Sequence, residues 1–310
     1  MIINNAAQLE ALFVSFQARY QDFYQQVPTY LDRLATTIPV TTEILRLPWM
    51  GRLLPMRKWI GDRQVNSAAL KFYDIVPELY ETTFGLNKSK IDDDQWGFFA
   101  NNILPQMAMQ TRKWPDYTMV EWILANKLWS DGFQFFDTGR PVNVDDSSKG
   151  TYDNDYPTTP LTLNNYIAVR QAMMALFGED GKSLNIMPNL LIVPPQLEAQ
   201  ALHITTSELI APGTFSNETT QVGSITNIMR NTAQVLVIPE LSSAPATWYL
   251  ADTSKPVKPF VWALREAPSF ALRVDPRDPV VFDRNEYLFG ARARGAAGGG
   301  FPFLVSRASA

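Results

Sequence analysis

Residues 258–303 constrain the fold of this chain more than any other stretch. KPFVWALREAPSF (258–270) is followed closely by VFDRNEYLFGARARGAAGGGFPF (281–303). Two runs rich in aromatic and aliphatic residues, 260–264 and 270–274, read as strands, and Pro268 bends the chain between them. A glycine cluster, Gly298 to Gly300, follows the second β-rich run and is too short to be a linker. Nothing in the stretch has the pattern of a catalytic device. At 310 residues the chain is long enough for one large domain or two ordinary ones, and 46% apolar against 19% charged residues supplies a real core.

Before this stretch the pattern is mixed. Residues 1–30 carry three charged side chains, Glu10, Arg19 and Asp22, while Leu9, Leu12, Phe13, Phe16, Tyr20, Phe23, Tyr24 and Val27 recur at helical spacing. Asn5 is a possible cap and Pro28 a stop. Such a helix either packs on its own domain or lies as an arm on a neighbouring subunit. Residues 39–63 hold Pro39, Pro48 and Pro55, which exclude a long helix. LKFYDIV (70–76) and LYETTFGL (79–86) read as strands. IDDD (91–94) marks a helix start, with Trp96, Phe99, Ile103 and Met107 on one face and Pro105 expected to kink or end it. Asp116 is expected to cap a second helix bearing Val120, Ile123, Leu124 and Leu128. Residues 137–160 read as a polar, solvated loop and the best domain boundary. Beyond it come a helix from Leu163 to Phe177 ended by Gly178, a buried strand at 189–193, a short helix after Pro195, a long loop over 205–232, and strands at 233–238 and 247–251.

The residues exclude several chemistries. There is no Cys and one histidine, His203, so a thiolate metal site, a His/Cys cluster and a Cys nucleophile are out, and no cofactor is expected. Three adjacent carboxylates at 92–94 point in different directions on a helix and do not converge on a metal. Asp145, Asp146, Asp153 and Asp155 lack the Gly and Glu of a calcium loop. GEDGKS (178–183) ends like a phosphate-binding loop but has Leu176 where the first Gly belongs, so it reads as a turn that ends a helix. A net charge of −4 gives no reason to expect a polyanion grip. The start of the chain lacks a signal-peptide pattern and no apolar run approaches the ~20 residues that span a bilayer, so a soluble cytoplasmic product without a membrane partner is expected. Trp49 and Trp59 stand among Arg46, Arg52, Arg57, Lys58 and Arg63. That mixture suits a protein–protein hot spot or a single-stranded nucleic-acid groove, and the overall acidity favours the first.

Several segments resemble one family. Pro259, Phe260, Arg265, Pro268 and Phe270, then Val281, Phe282, Glu286, Tyr287, Leu288, Phe289, Gly290, Ala293, Arg294 and Gly298, match the C-terminal signature of the Mu-like phage and prophage major head subunit, the gpT family. The run from Pro188 to Ala201 resembles the same family, as do Trp59, Gly61 and Arg63 ahead of Tyr80 and Glu81. The resemblance runs from about Trp59 to the C-terminus, and residues 1–45 share only its general character. It implies an α+β fold of the Hong Kong 97 type, with an N-terminal arm at 1–45, an extended-loop region at 46–86, a peripheral domain from 87–159 and 266–310, and an axial domain at 160–265. The extended loop would be a β-hairpin reaching over the next subunit. The implied function is a virion shell protein, made in the host cytoplasm, that binds copies of itself as hexamers and pentamers around double-stranded DNA without sequence specificity. Portal, scaffold and decoration proteins would be further partners. Phe13, Phe16, Tyr20, Trp59, Arg63, Tyr80 and Glu81 are the candidate inter-subunit contacts. The competing reading is a cytoplasmic enzyme with an unrecognised site.

Overall fold

The computed structural model describes residues 6–49, 71–87, 99–144, 146–178, 181–210, 225–273 and 279–310. Along the chain come helix α1 (Ala6–Gln26), a single turn α2 (Leu31–Leu34), and strands β1 (Ala35–Pro39), β2 (Leu45–Trp49), β3 (Lys71–Ile75) and β4 (Glu78–Asn87). A π-turn at Phe99–Ile103 leads into helix α3 (Leu104–Ala125). Short strands β5 (Arg140–Pro141), β6 (Thr151–Tyr152) and β7 (Asp155–Tyr156) precede helix α4 (Leu163–Met174), strand β8 (Leu190–Val193) and helix α5 (Glu198–Thr206). The rest is β9 (Leu209–Ile210), β10 (Ile225–Thr226), β11 (Gln234–Val237), β12 (Thr247–Ala251), β13 (Phe260–Arg273), helix α6 (Pro279–Arg284), β14 (Glu286–Gly299) and β15 (Val305–Ser309).

The first sheet has the order β1-β13-β14-β4. Its spine is the antiparallel pair β13 and β14, in register from Phe260↔Gly299 to Arg273↔Leu288. The two strands expected at 260–264 and 270–274 are one strand. The ladder slips between Leu264 and Ser269, around Pro268, which has no N–H to donate and is tolerated at such an irregularity. β1 runs parallel to the first half of β13, Ala35↔Phe260 to Pro39↔Leu264. β4 pairs with β14 from Asn87↔Glu286 to Glu78↔Gly295. The runs at 70–76 and 79–86 are therefore not the two strands of one hairpin. Val76-Pro77 separates them, and the fixed φ of proline does not suit the two-residue turns that close a hairpin. β3 pairs instead with β2, Leu45↔Ile75 to Trp49↔Lys71, as a separate two-stranded ribbon.

The glycine cluster is a packing device. A Cβ on Gly299 would stand 2.6 Å from Phe135 and 3.0 Å from Trp122. One on Gly295 would stand 2.8 Å from Trp262 and 3.1 Å from Trp114. Large aromatic rings lie directly on the strand there, and only glycine leaves them room.

The second sheet has the order β11-β8-β12-β15-β7. All four residues of β8 are buried, as expected for a central strand covered on both faces. β15 pairs antiparallel with β12 and parallel with β7. Residues 305–309 thus pair within the second sheet and not with β13 and β14 of the first. The short turn at Pro302–Leu304 carries the chain from one sheet to the other. α4 and α5 pack on this sheet around Tyr166, Val169, Ile204 and Trp248. The expected long loop at 205–232 contains a small antiparallel pair, β9 with β10, in its described part.

Residues 137–160 are less solvated than their polarity predicts. Arg140 is 1% exposed and forms a buried ion pair with Asp131 at 2.7 Å. Its guanidinium also donates to the carbonyls of Gln134 and Phe135 and stacks on Trp129. Asp146 accepts from the Ser148 N–H at 3.0 Å and caps a short turn, and Asp155 holds Arg307 of β15 at 2.7 Å. The acids that lack a calcium pattern serve as caps and ion-pair partners. Asp145 lies outside the described residues.

α3 replaces the two helices expected on either side of residue 116. Pro105 falls in its first turn, where no N–H is needed, and Pro115 is accommodated inside it. The buried side chains Met119, Val120, Trp122 and Ile123 pack into one cluster with Leu190 and Ile192 of the second sheet and Phe260 and Trp262 of the first. Burial of this apolar face outweighs the lost hydrogen bond at Pro115. Asp116 does cap a helix, but not its own. Its carboxylate accepts from the Leu31 N–H at 3.0 Å and the Tyr30 N–H at 3.4 Å, at the start of α2. The triple-Asp cap expected at 92–94 lies outside the described residues.

Candidate assembly surfaces

The aromatic stripe of α1 is consumed inside the subunit. Phe16 and Tyr20 are each 2% exposed. Phe16 meets Phe289 of β14 edge-on, with centroids 6.2 Å apart, and Tyr20 stacks on Phe270 of β13 at 4.5 Å. Leu104, Met107 and Ala108 of α3 complete the cluster. The inter-subunit role expected of Phe16 and Tyr20 therefore gives way to one that fastens α1 to its own first sheet. The helical spacing was visible in the sequence, but amphipathicity does not say which chain supplies the partner surface. The Phe13 side chain, and Trp59 and Arg63 altogether, lie outside what is described.

Tyr80 and Glu81 sit on β4 and not on the β2–β3 ribbon. Tyr80 is half-buried against Trp114 of α3, with centroids 4.9 Å apart, and its hydroxyl donates to Glu78 at 3.4 Å. Trp114 in turn rests edge-on against Trp262 at 5.0 Å. Glu81 is exposed and accepts from the Thr83 hydroxyl at 2.6 Å. Tyr80 forms a wall between two grooves beside α3. One, of about 430 Å³, is lined by Asp74, Glu78, Glu121 and Trp122, and the other, of about 210 Å³, by Thr82, Trp114, Tyr117 and Arg292.

The ribbon is held at its base by a feature that sequence inspection missed. Arg46 on β2 donates from two nitrogens to Asp74 on β3, at 2.8 and 2.9 Å, and its guanidinium lies 5.7 Å from the Phe72 ring centre. The Arg46 bond holds the Asp74 carboxyl below the usual range. The alternation Leu45, Arg46, Leu47 is the period-two signal of β2 and could have revealed it. On the first sheet, Glu81, Thr83, Gly85, Arg292 and Ser269 share an exposed face, with Arg292 paired to Glu266 at 2.7 Å. Among the described residues, no strand pairs with the outer edge of β4 or continues β1 along the far half of β13.

Convergent chemistry has no comparable address. Among the described residues no group of three His, Asp or Glu side chains is placed to hold a metal. His203 is exposed on α5. In the phosphate-loop look-alike, α4 has already ended at Met174. Beyond it Phe177 and Ser183 form an antiparallel bridge, and the Gly178 N–H donates to the Lys182 carbonyl at 2.8 Å. Among the described residues no helix is long and apolar enough to cross a membrane.

The sequence profile of the Mu-like prophage major head subunit gpT family matches the chain over residues 9–159, 156–241 and 240–310. The chain belongs to this family. As a major head subunit it is a structural capsid protein of a phage virion and not an enzyme. It is 23% identical over 300 residues to the major capsid protein of Escherichia phage Mu, covering 97% of this chain and 73% of that one. It is 21% identical over 297 residues to the Mu-like prophage FluMu major head subunit of Haemophilus influenzae, covering 94% and 70%. Among solved structures, the procapsid of bacteriophage JBD30 superposes with a TM-score of 0.60 at 27% identity, covering 99% of this chain and 76% of that one. The two-sheet α+β architecture is thereby the Hong Kong 97-type capsid fold. Among the described residues, the surfaces left open on this head subunit are the β2–β3 ribbon, the grooves flanking Tyr80 and two edges of the first sheet.

Proposed function

We propose that this head subunit closes into hexamers and pentamers that tile an icosahedral shell around double-stranded DNA. The observation that supports this most is the family match along nearly the whole chain. Head-to-tail contacts that close into rings let one subunit occupy every position of such a shell. The chain from β2 through residue 86, with Trp59 and Arg63 in its sequence and Tyr80 and Glu81 on β4, is proposed as the region that contacts the neighbouring subunit. DNA is held without sequence readout, in keeping with an acidic chain that carries no dedicated basic grip. A portal, a scaffold and a decoration protein are proposed as further partners, and the subunit is made in the bacterial cytoplasm before it enters the virion. Purified subunit, examined by size-exclusion chromatography and negative-stain electron microscopy, should give rings or closed shells. A subunit that stays a compact monomer or dimer at every concentration and salt, with or without its co-expressed head partners, would overturn the reading.

A further inference from the structure

Asp116 stands where three parts of the chain meet. It projects from α3, 1% exposed, and its two oxygens accept from the backbone N–H groups of Leu31 and Tyr30 at the entry to α2. The Tyr30 hydroxyl reaches on to Glu240 at 3.1 Å, in the turn Pro239–Ser243 that follows β11 of the second sheet. The charged and titratable groups facing Asp116 are Glu240 from that turn, Lys113 from α3, and Tyr30 from the segment before α2, with Tyr117 beside Tyr30. Among the described residues no Lys or Arg forms an ion pair with it. Two carboxylates and a phenol thus share a joint in which Asp116 is buried, Tyr30 and Glu240 are half-buried, and two backbone amides are the close donors to Asp116.

We propose that Asp116 is an acid-operated latch on this joint, looser while its carboxylate is ionised and tighter once it is protonated. A carboxylate removed from water without an ion-pair partner is a costly group, and two amide bonds with the nearby Lys113 charge offset only part of the cost. Burial, the largest cause, raises its pKa to about 6, and Glu240 pushes in the same direction. When the joint opens, the group returns to an ordinary carboxyl. The closed joint therefore binds the proton more strongly than the open one, so closing is favoured as pH falls through 6 and the gain is complete near pH 4. Protonation leaves one carbonyl oxygen for the closer Leu31 N–H and gives up the longer contact to Tyr30. Phe16 and Tyr20 hold α1 further along, so the latch governs how firmly the root of the N-terminal segment is tied to α3 and to the second sheet.

Hydrogen exchange of the full chain, read by mass spectrometry on peptides covering residues 28–36 and corrected for intrinsic exchange, tests this. Opening should fall about tenfold between pH 7.5 and pH 5, while peptides of β8 show no such trend. Asp116→Asn keeps an acceptor without the charge, and its exchange should be pH-independent and already slow at pH 7.5. A matching pH trend in Asp116→Asn, or wild-type opening that rises in acid, would overturn the latch. Glu240→Gln guards against a poorly folded first variant: removing the neighbouring charge should move the wild-type midpoint to lower pH, and an unmoved midpoint refutes the proposal equally.

Discussion

The two sheets solve the same problem in opposite ways. The second is short-stranded and closed in: β8 is buried at every position, and α4, α5 and the aromatic core around Trp248 surround it. The first is long and half open: β13 and β14 run fourteen residues each, α1 and α3 cover one face, Ile75 and Leu47 of the ribbon pack over Val261 and Ala263 on the other, and the far part of that face and two backbone edges stay uncovered among the described residues. Backbone edges of that length invite pairing or association unless something blunts them. A subunit built to persist by itself would bury them, whereas a shell subunit keeps them for its neighbours. We propose that the second sheet accordingly carries the larger share of the single subunit's stability, and the first its capacity to join others.

The contrast breaks most visibly at Trp248, whose side chain is fully buried and whose indole N–H donates to the Thr159 carbonyl at 2.9 Å. Trp248→Ala should cost about 4 kcal/mol in denaturant unfolding of the unassembled subunit. A loss under 1 kcal/mol would mean that the second sheet is not the stabilising half. Phe16→Ala should cost about 3 kcal/mol, at the lower end for a buried Phe, because α1 can leave the first sheet without unfolding the rest. Exchange protection should vanish in α1 and persist in β8. Uniform loss across the chain would show that the two halves are one cooperative unit.

Gly299→Ala sharpens the comparison at the seam between the sheets. The added methyl meets Phe135 at 2.6 Å and should cost about 2 kcal/mol by overpacking. A neutral result would show that the ring moves aside. The smallest effect on folding belongs to Arg46→Ala, which removes an exposed, solvent-screened ion pair and should leave denaturant stability close to that of the wild type. Its assembly, followed by light scattering, should nevertheless slow or stop if the ribbon's geometry serves the neighbour. Assembly at the wild-type rate would remove the ribbon from the proposed contact region.

What the sequence displayed, and what it hid, divides along the same line. β8, β12 and the start of β13 were legible because continuous apolar runs bounded by Pro or Gly have few other readings. The helical stripe of α1 was legible too, but not the identity of the surface that buries it. The continuity of α3 was hidden: Pro105 read as a breaker but falls harmlessly in the first turn, and Pro115 is overridden by the tertiary burial of Met119, Trp122 and Ile123. Asp116 announced capping chemistry correctly and concealed its recipient, because hydrogen bonding to Tyr30 and Leu31 is a long-range event that no local window contains. The strand bearing Tyr80 and Glu81 was legible, but its pairing partner was not, for a related reason. Strand propensity marks β4 as extended, but pairing with β14 or with β3 is decided by the turn between neighbours and by the distant glycine-bearing strand.

The parallel pairing of β1 with β13 has a kinetic meaning. Ala35–Pro39 emerges early in synthesis, and its partner, Phe260–Leu264, is separated from it by most of the chain. Until that partner exists, Leu31, Leu34 and the aromatic face of α1 have no sheet to cover them. Topologies with such distant pairings fold slowly and expose apolar surface while they wait. Newborn head subunits should therefore pass through an interval in which they are prone to stick to one another in the wrong way. During that interval the number of chains being made at once sets the fraction that reaches the correct fold.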